Sequence, residues 1–365
     1  MNFFPQKLNP NYTHSWKTKL IREGKALKIT DLELNNLYFK SIIDKYNLKV
    51  KDTDTITDVI HRFLFSNQSI VQLEGSNIMS DEIKNIYYSK LRTLVSKGAP
   101  IDFFLTTFSP KFKKEHISNG WIHPDIADFI TLIHLQMVAK TIREIYPYNF
   151  RFIIAYKGDL YQRAGGWTKE ELDKTYKILQ GLNLAAEKIT GTRNSIVLTR
   201  WTEMFGDNLY EFENRWETKS EHYYKLWNDK REPYFSQIEK WKENLIPYLD
   251  IEPDFTEVFN FFLTKESCRI RAFNNLIFRE GRALYLLKKL NPNLLIAHTS
   301  KKSKFFSILL NPYFQNRSHL RMAVWDKDWS MENWASIKEK KYEPVYLEEY
   351  DYPFFFKTII NKKSE

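Results

Sequence analysis

The stretch that decides the fold is Lys-Gly-Ala-Pro-Ile-Asp-Phe-Phe-Leu-Thr-Thr-Phe-Ser-Pro-Lys, at residues 97–111. Its central run, residues 101–108, is apolar and rich in phenylalanine, which predicts a strand buried on both faces. A helical pattern follows at residues 124–145, and a second strand pattern at 150–156 ends in Lys-Gly-Asp. A strand, a helix and a further strand in this order are typical of an α/β protein with a parallel sheet.

The composition is that of a globular protein with a large core. The chain has 365 residues, of which 43% are hydrophobic, so it can form one large domain with elaborations or two closely packed domains. Cys268 is its only cysteine, which excludes an intrachain disulfide and a cysteine-based metal site. The sequence has no signal-peptide pattern and no apolar run long enough for a membrane span, so we expect a soluble cytoplasmic protein.

The formal net charge is +10, which is compatible with three kinds of partner: nucleic acid, a membrane surface or a small anionic substrate. The basic residues are interspersed with acidic ones, and this mixture favours an ordinary solvated surface over a nucleic-acid-binding patch. Charge alone therefore leaves the partner open.

We predict an α/β fold with a Rossmann-like, mostly parallel sheet, a helical N-terminal cap and a helical insertion. The expected division is a helical cap at 1–98, the first part of the α/β core at 99–204, a helical insertion at 205–290, and C-terminal strands that complete the core at 291–365.

The further predicted elements follow from hydrophobic spacing. Helices are expected at 31–46, 57–65, 80–95, from 168 to 180, over much of 209–249 with an interruption at Pro233, and over 254–290. Strands are expected at 195–199, 294–299, 304–310 and 319–325. Because Asn311-Pro312 separates the last two strands, they could pair antiparallel on an otherwise parallel sheet.

Several common catalytic and cofactor motifs are absent from the sequence. It contains no phosphate-binding Gly-x4-Gly-Lys-Ser/Thr loop, no Gly-x-Gly-x-x-Gly, no His-Glu-x-x-His and no Gly-x-Ser-x-Gly. The eight histidines are scattered along the chain. No metal and no cofactor is therefore expected.

Lys111 directly follows the first predicted strand through Phe-Ser-Pro. A lysine at the carboxyl end of a strand can bind an anion, or act as an amine when burial lowers its pKa. The alternative is an ordinary lysine on a surface loop.

His298 ends the apolar run 294–297, and Thr-Ser-Lys-Lys-Ser-Lys follows it at 299–304. Hydroxyl groups mixed with Lys301 and Lys304 can form a phosphate cradle. The alternative is a hairpin whose lysines protect an edge strand.

His319 and Arg321 alternate along the last predicted strand and so share one face of it. They can contact an anion if that face lines a cleft, and are surface residues otherwise. Asp159 and Arg163 share a face if their segment is extended, and Arg163 leads towards a helix N-terminus near Thr168, where anions bind favourably.

Five short motifs resemble those of the pyoverdine/dityrosine biosynthesis family, and they are spread over about residues 85–325. Residues 98–111 resemble the family's Gly-x-Pro-Ile-x-Phe…Phe-Pro-x-Lys segment, and Pro-Asp-Ile-Ala-Asp at 124–128 resembles its Pro-Asp-Met-Ala-Glu. The others are Tyr-Pro at 146–147 with the following strand and Gly158, Ile-Ala-His at 296–298, and Ser-His at 318–319.

The resemblance implies an isocyanide (isonitrile) synthase. Members of the family join the amino group of an L-amino acid, commonly tyrosine or tryptophan, to ribulose 5-phosphate without a metal or redox cofactor, and a fungal branch makes an N-formyl product. An iron/2-oxoglutarate oxygenase that processes the product is an implied partner.

Condensation of an amine with a phosphoketose needs an anion clamp and acid/base groups. The candidate catalytic residues are Lys111, His298 and His319. The candidate substrate-binding residues are Lys301, Lys304, Arg321, Asp159 and Arg163.

Two other functions remain open. One is a different amine-condensing transferase on the same scaffold, and the other is a basic nucleic-acid-binding protein. Salt-sensitive retention on RNA or DNA would favour the nucleic-acid-binding protein, whereas thermal stabilisation by ribulose 5-phosphate would favour the enzyme.

Overall fold

The computed structural model describes most of the predicted core. The residues described are 25–27, 46, 48–66, 81–105, 124–156, 169–206, 209–245, 256–278, 291–298, 306–307, 322–326, 328–332, 342–347 and 354–358.

These residues form eight α-helices and ten β-strands. The helices are α1 (Ile56–Ser66), α2 (Asp81–Ser96), α3 (Ile126–Arg143), α4 (Lys169–Thr190), α5 (Trp201–Phe205), α6 (Leu209–Asn228), α7 (Tyr234–Leu245) and α8 (Thr256–Phe278). The strands are β1 (Lys25–Leu27), β2 (Ile101–Leu105), β3 (Phe150–Tyr156), β4 (Ile196–Arg200), β5 (Leu295–His298), β6 (Phe306–Ser307), β7 (Met322–Asp326), β8 (Asp328–Glu332), β9 (Tyr342–Leu347) and β10 (Phe355–Thr358).

The predicted α/β fold is confirmed. A five-stranded sheet has the order β4-β3-β2-β5-β6, and every neighbouring pair in it is parallel. Helix α3 connects β2 to β3, and helix α4 connects β3 to β4, which is the arrangement that parallel strands require.

The two faces of this sheet are covered by different hydrophobic clusters, which explains why β2 is apolar at nearly every position. Phe103 and Leu105 belong to the cluster that contains α3 and α4, whereas Phe104 belongs to the cluster that contains α5 to α8. Successive side chains of a strand point to opposite faces of the sheet. A strand that is buried on both faces therefore needs apolar residues at odd and at even positions.

Helix α3 is buried on almost all sides because it lies between the parallel sheet and a second sheet. Fifteen of its residues are buried. Phe129 packs against Phe354, which directly precedes β10 of the second sheet, with ring centroids 6.3 Å apart, and the Ile126 amide donates to the Phe354 carbonyl at 3.2 Å. A helix that is apolar all round is typical of such a central position.

The opposite face of the parallel sheet carries the predicted helical layer. Helices α6, α7 and α8 lie within the expected insertion, and Pro233 separates α6 from α7 as predicted. Phe205, Phe212 and Phe273 form a buried aromatic cluster in this layer, with the Phe205 and Phe212 rings stacked at 4.2 Å.

The predicted pairing of the C-terminal strands is wrong. Strand β6, within the pattern at 304–310, pairs parallel with β5. Strand β7, which overlaps the pattern at 319–325, belongs to a second sheet of order β1-β9-β10-β7-β8. The antiparallel partner of β7 is β8, the next strand along the chain. The Trp325 and Trp329 rings pack across this hairpin at 5.0 Å, and such a cross-strand aromatic pair stabilises the local partner.

The N-terminal region combines two predicted helices with an unpredicted strand. Helices α1 and α2 confirm the patterns at 57–65 and 80–95, and β1 pairs parallel with β9 of the second sheet. The helix predicted at 31–46 lies outside the described residues except for Tyr46, which is not helical.

Candidate functional site

The parallel sheet has a topological switch point between β2 and β5. The chain builds from β2 to β3 and β4, and then returns to place β5 and β6 on the other side of β2. Leu105 at the end of β2 is registered with Ala297, so β2 and β5 end side by side. Ligands of open α/β sheets bind outside the carboxyl ends of the strands at such a point. The switch-point crevice, between Leu105 and His298, is therefore the candidate site.

His298 is the predicted site residue whose backbone the structure describes. It is the last residue of β5 and is registered with Ser307 of β6. The other predicted site residues lie outside the described residues: Lys111, Asp159, Arg163, Lys301, Lys304, His319 and Arg321. The contacts among these side chains therefore remain predictions.

Most of the predicted residues lie on segments that begin where a parallel strand ends. These are residues 106–123 after β2, 157–168 after β3 and 299–305 after β5. His319 and Arg321 differ, because they directly precede β7 of the second sheet. The sheet order thus places the starts of the three segments at the carboxyl ends of the parallel strands. It does not place His319 and Arg321 there.

Arg200 forms an ordered charged cluster at the carboxyl end of β4. Its guanidinium donates to the Asp173 carboxylate at 2.5 Å and lies 4.7 Å from the centre of the Tyr176 ring. Tyr176 packs in turn on Tyr156, the last residue of β3, with ring centroids 5.6 Å apart. An ion pair and an aromatic face together hold the guanidinium in one orientation, so this cluster forms a rigid border two strands from the switch point.

Sequence reasoning missed Arg200 because the strand predicted at 195–199 stops one residue short of it. The same rule that selected Lys111, a polar residue at the carboxyl end of a strand, would have found it.

Trp201, the next residue, belongs to the opposite face of the sheet. It is almost fully buried, with 1% of its surface exposed, and packs edge-on against Phe104 of β2 with ring centroids 5.3 Å apart. Within the described part of the chain, its Nε1–H has no hydrogen-bond acceptor. Sequence reasoning gave no signal for this residue beyond its place after a predicted strand.

The first family-like motif contains residues that stabilise the fold. Gly98 has φ +57°, and a Cβ atom there would come within 3.1 Å of the Tyr148 ring. Tyr146, from the Tyr-Pro motif, donates its hydroxyl hydrogen to the Ala99 carbonyl at 2.6 Å. A left-handed glycine and a buried tyrosine hydrogen bond thus fix the turn that enters β2.

The Pro-Asp-Ile-Ala-Asp motif is the N-terminal cap of α3. The Asp125 carboxylate accepts hydrogen bonds from the Ala127 and Asp128 amides, and the Asp128 carboxylate accepts one from the Asp125 amide. This reciprocal capping box starts the helix that follows β2. Pro124, at which the predicted helical pattern begins, precedes the cap.

The amino-terminal edge of the same sheet contains a paired charge network. Arg151 donates two hydrogen bonds to the Asp102 carboxylate, each 2.8 Å long, and the hydrogen bond to Asp102 raises the pKa of Arg151. Arg143 donates to the carbonyls of Phe150, Arg193 and Asn194, and burial lowers the pKa of Arg143. These groups hold the strands together at the edge away from the switch point.

The described side chains form neither a candidate metal site nor a reactive thiol. No group of three potential ligands from His, Cys, Asp or Glu occurs in the part of the chain that is described. Cys268 is buried in α8, and burial raises the pKa of its thiol to about 12, so it is a poor nucleophile at neutral pH. Across the same residues, no helix is long and apolar enough to cross a membrane.

The fold of this chain is similar to that of a protein of known structure. The crystal structure of the PvcA protein from Pseudomonas aeruginosa matches with a TM-score of 0.58 and 15% sequence identity, over 84% of this chain and 100% of that chain. The match is consistent with the predicted α/β fold and with the resemblance of the short motifs. At this identity, the similarity establishes the fold and not the reaction.

A second solved structure, CDPS from Staphylococcus haemolyticus, matches with a TM-score of 0.30 and 11% identity, over 60% of this chain and 82% of that chain. This similarity is too low to support an argument. No known family profile matches the sequence, and no curated protein matches it.

Proposed function

We propose that this chain is a biosynthetic enzyme of the pyoverdine/dityrosine biosynthesis family, the family of PvcA. It condenses the amino group of an L-amino acid, tyrosine- or tryptophan-like, with ribulose 5-phosphate and gives an isocyanide or N-formyl product. The observation that carries the proposal is the switch point between β2 and β5, because the segments with Lys111, Lys301 and Lys304 begin at the ends of these strands.

The first chemical step explains why basic residues are needed there. The neutral amine adds to the keto carbon of the sugar, and the resulting carbinolamine loses water to give an imine. The phosphate remains charged throughout, so Lys111, Lys301, Lys304 and Arg321 are assigned to bind it. The net charge of +10 is compatible with a phosphorylated substrate but does not by itself select one.

Proton transfer is assigned to His298 and His319, since imidazole gains and loses protons near neutral pH. One of them accepts a proton from the ammonium group of the amino acid, and the other donates a proton to the departing hydroxyl. Asp159 and Arg163 follow β3 and are assigned to orient the amino acid. The chain has Lys157 before Gly158 and Thr299 after His298, where the family has an acid and a proline, so the preferred amine is left open.

We further propose that the enzyme acts in the cytoplasm and that its product is a substrate for an iron/2-oxoglutarate oxygenase. The oxygenase partner follows from the family resemblance. Neither requires a cofactor bound to this chain.

An isotope experiment tests the proposed reaction. The protein is incubated with a mixture of L-amino acids and ribulose 5-phosphate labelled with ¹³C at the keto carbon, and products are separated by mass. We expect an isocyanide or N-formyl derivative of one amino acid that carries the label. If products lack the label, or if none forms and ribulose 5-phosphate does not raise the unfolding temperature, the proposal is wrong.

A further inference from the structure

A buried tyrosine of the N-terminal helices contacts both strands of the switch point. Tyr87 of α2 has 6% of its surface exposed, and its ring lies parallel to that of Phe103 of β2, with centroids 6.4 Å apart. Its hydroxyl donates a hydrogen bond to the Ile296 carbonyl of β5, two residues before the strand ends at His298. One side chain thus joins α2 to the two strands that border the crevice.

Helix α2 is attached to the sheet at two levels. At the amino edge, the Tyr146 hydroxyl donates to the Ala99 carbonyl at 2.6 Å and lies 3.3 Å from the Leu94 carbonyl of α2. Tyr87 precedes Leu94 by about two helical turns and makes its hydrogen bond near the carboxyl end of β5. The two tyrosine hydroxyls therefore make the same kind of bond at opposite ends of the sheet.

Strand β5 is short, so a side-chain hydrogen bond to its backbone matters for the position of its end. It has four residues, and its register with β2 stops at Ala297, opposite Leu105. On its other side, β6 pairs with Ala297 and His298. A short strand has few ladder hydrogen bonds, and the Tyr87 bond to Ile296 adds one from outside the sheet.

The direction of the Tyr87 hydroxyl is fixed by ring contacts on two elements. Besides the contact with Phe103, the ring packs against Phe65 of α1, with centroids 5.4 Å apart. Close packing of this kind limits the movement of a side chain. The hydroxyl therefore reaches the Ile296 carbonyl from a fixed position.

From these contacts we infer that Tyr87 is a positioning residue of the candidate site: through the Ile296 carbonyl it holds the end of β5, and with it the backbone of His298, at a fixed place beside β2. This inference rests on the proposed function, in which His298 transfers a proton. Tyr87 acts through the strand and does not contact the substrate. The N-terminal helices are then part of the catalytic unit and not a separate cap.

The variant Tyr87→Phe removes the hydroxyl and retains the ring. Proton transfer depends on the position of the transferring group to a fraction of an ångström, so we expect kcat to fall about 10-fold. The KM for ribulose 5-phosphate should be unchanged, because Lys301 and Lys304, which are assigned to the phosphate, lie further along the chain. Wild-type kcat in this variant would overturn the inference.

Tyr146→Phe is the matched control, because it removes a buried tyrosine hydroxyl that donates to a carbonyl at the amino edge. Both variants should lower the unfolding temperature by a similar amount, about 1–3 °C each. Only Tyr87→Phe should lower kcat. An equal loss of kcat in both variants would mean that turnover follows stability, which contradicts the inference.

A double variant tests whether Tyr87 acts through His298. Once His298→Ala has removed the imidazole, adding Tyr87→Phe should lower kcat no further, because residues that act as a unit are not additive. Losses that multiply would show that the two residues act independently, and would overturn the inference.

Nuclear magnetic resonance of the protein with isotopically labelled histidine gives a readout that does not require turnover. The signal of His298 is identified by its absence in His298→Ala. We expect Tyr87→Phe to shift or broaden this signal and Tyr146→Phe to leave it in place. An unmoved signal in Tyr87→Phe would contradict the inference.

Failure of the proposed function gives a different result. In that case the wild-type protein would neither bind nor turn over ribulose 5-phosphate, while the His298 signal would still move in Tyr87→Phe. An active wild-type protein whose His298 signal and kcat are insensitive to Tyr87→Phe would remove only the role of Tyr87.

Discussion

The two edges of the parallel sheet use polar groups in opposite ways. At the amino-terminal edge, Asp102 and Arg151 form a bidentate ion pair, and Arg143 donates to three backbone carbonyls. At the carboxyl-terminal edge, His298 is the last residue of β5. The buried N–H of Trp201, which directly follows β4, has no acceptor among the residues described.

This difference separates residues that hold the fold from residues available for chemistry. A buried charge that is paired and hydrogen-bonded stabilises the sheet, and removing its partner is costly. Polar groups at the carboxyl ends of strands are placed where a ligand can complete their hydrogen bonds. Changes at the amino edge should therefore alter stability, and changes at the carboxyl edge should alter activity.

The largest effect is expected at the carboxyl edge. Lys111→Ala should abolish measurable turnover, a loss of at least about 10³-fold, because the phosphate loses a positively charged partner. Steady-state turnover of ribulose 5-phosphate measures the loss, and circular dichroism checks that the variant is folded. Lys113→Ala, two residues away in the same segment, is the matched control and should stay active. Full activity of Lys111→Ala would remove this lysine from the site.

The two histidines should have the next largest effects. His298→Ala and His319→Ala should each lower turnover by about 10²- to 10⁴-fold, because a positioned proton-transfer group is lost. The pH dependence of turnover in each variant should lose one limb of the wild-type profile. Wild-type rates in either variant would make that histidine an ordinary structural residue.

A change at the amino edge should lower the stability of the protein and leave its turnover unchanged. Asp102→Asn breaks the ion pair with Arg151, and we expect unfolding in urea to show a loss of about 2 kcal/mol, less than for a fully buried pair because Arg151 is partly exposed. Turnover of the folded protein should be unchanged, because Asp102 lies at the edge away from the crevice. A variant that is stable but inactive would refute the separation of the two edges.

The smallest effect is expected at His61 of α1, which contacts α2. Burial lowers the pKa of His61, whose Nε2 lies 3.1 Å from the Lys84 carbonyl and whose ring stacks on Phe65. Below the unfolded pKa of about 6.5, the unfolded chain binds more protons than the folded chain, so stability should fall as the pH drops below this value.

Unfolding temperatures measured from pH 7.5 to 5.5 should decline less in His61→Gln than in wild type. Equal slopes would mean that His61 does not contribute to the acid sensitivity. Neighbouring Asp58 stays ionised over this range, because its hydrogen bonds, chiefly from the Thr55 hydroxyl, lower its pKa to about 2.

Local patterns in the sequence predicted the parallel core well. The strand pattern at 150–156 matches the bounds of β3, and the apolar run from Ile101 contains β2, since both signals depend on adjacent residues. Strand pairing is different, because it depends on distant partners. Asn311-Pro312 indicated a hairpin, but β7 instead pairs with β8 and β10, and β6 pairs with β5.

The positions of strand ends were predictable, although the roles of the residues there stay predictions. His298 was expected at a strand end because it terminates an apolar run, and it is the last residue of β5. Arg200 was missed because the predicted strand ended at residue 199, one residue before the end of β4. Trp201 was missed because it contacts Phe104 of β2, and β3 lies between β2 and β4 in the sheet. The family-like motif residues Gly98, Asp125 and Tyr146 turn out to fix turns and helix ends.

Hydrogen–deuterium exchange with and without ribulose 5-phosphate tests the central claim most directly, because it reports on both edges of the sheet at once. We predict slower exchange in peptides that cover residues 106–123 and 299–305, which follow β2 and β5, and no change at 143–151 on the amino edge. Protection at the amino edge, or no protection at either edge at a saturating sugar concentration, would contradict the assignment of the switch-point crevice as the ligand site.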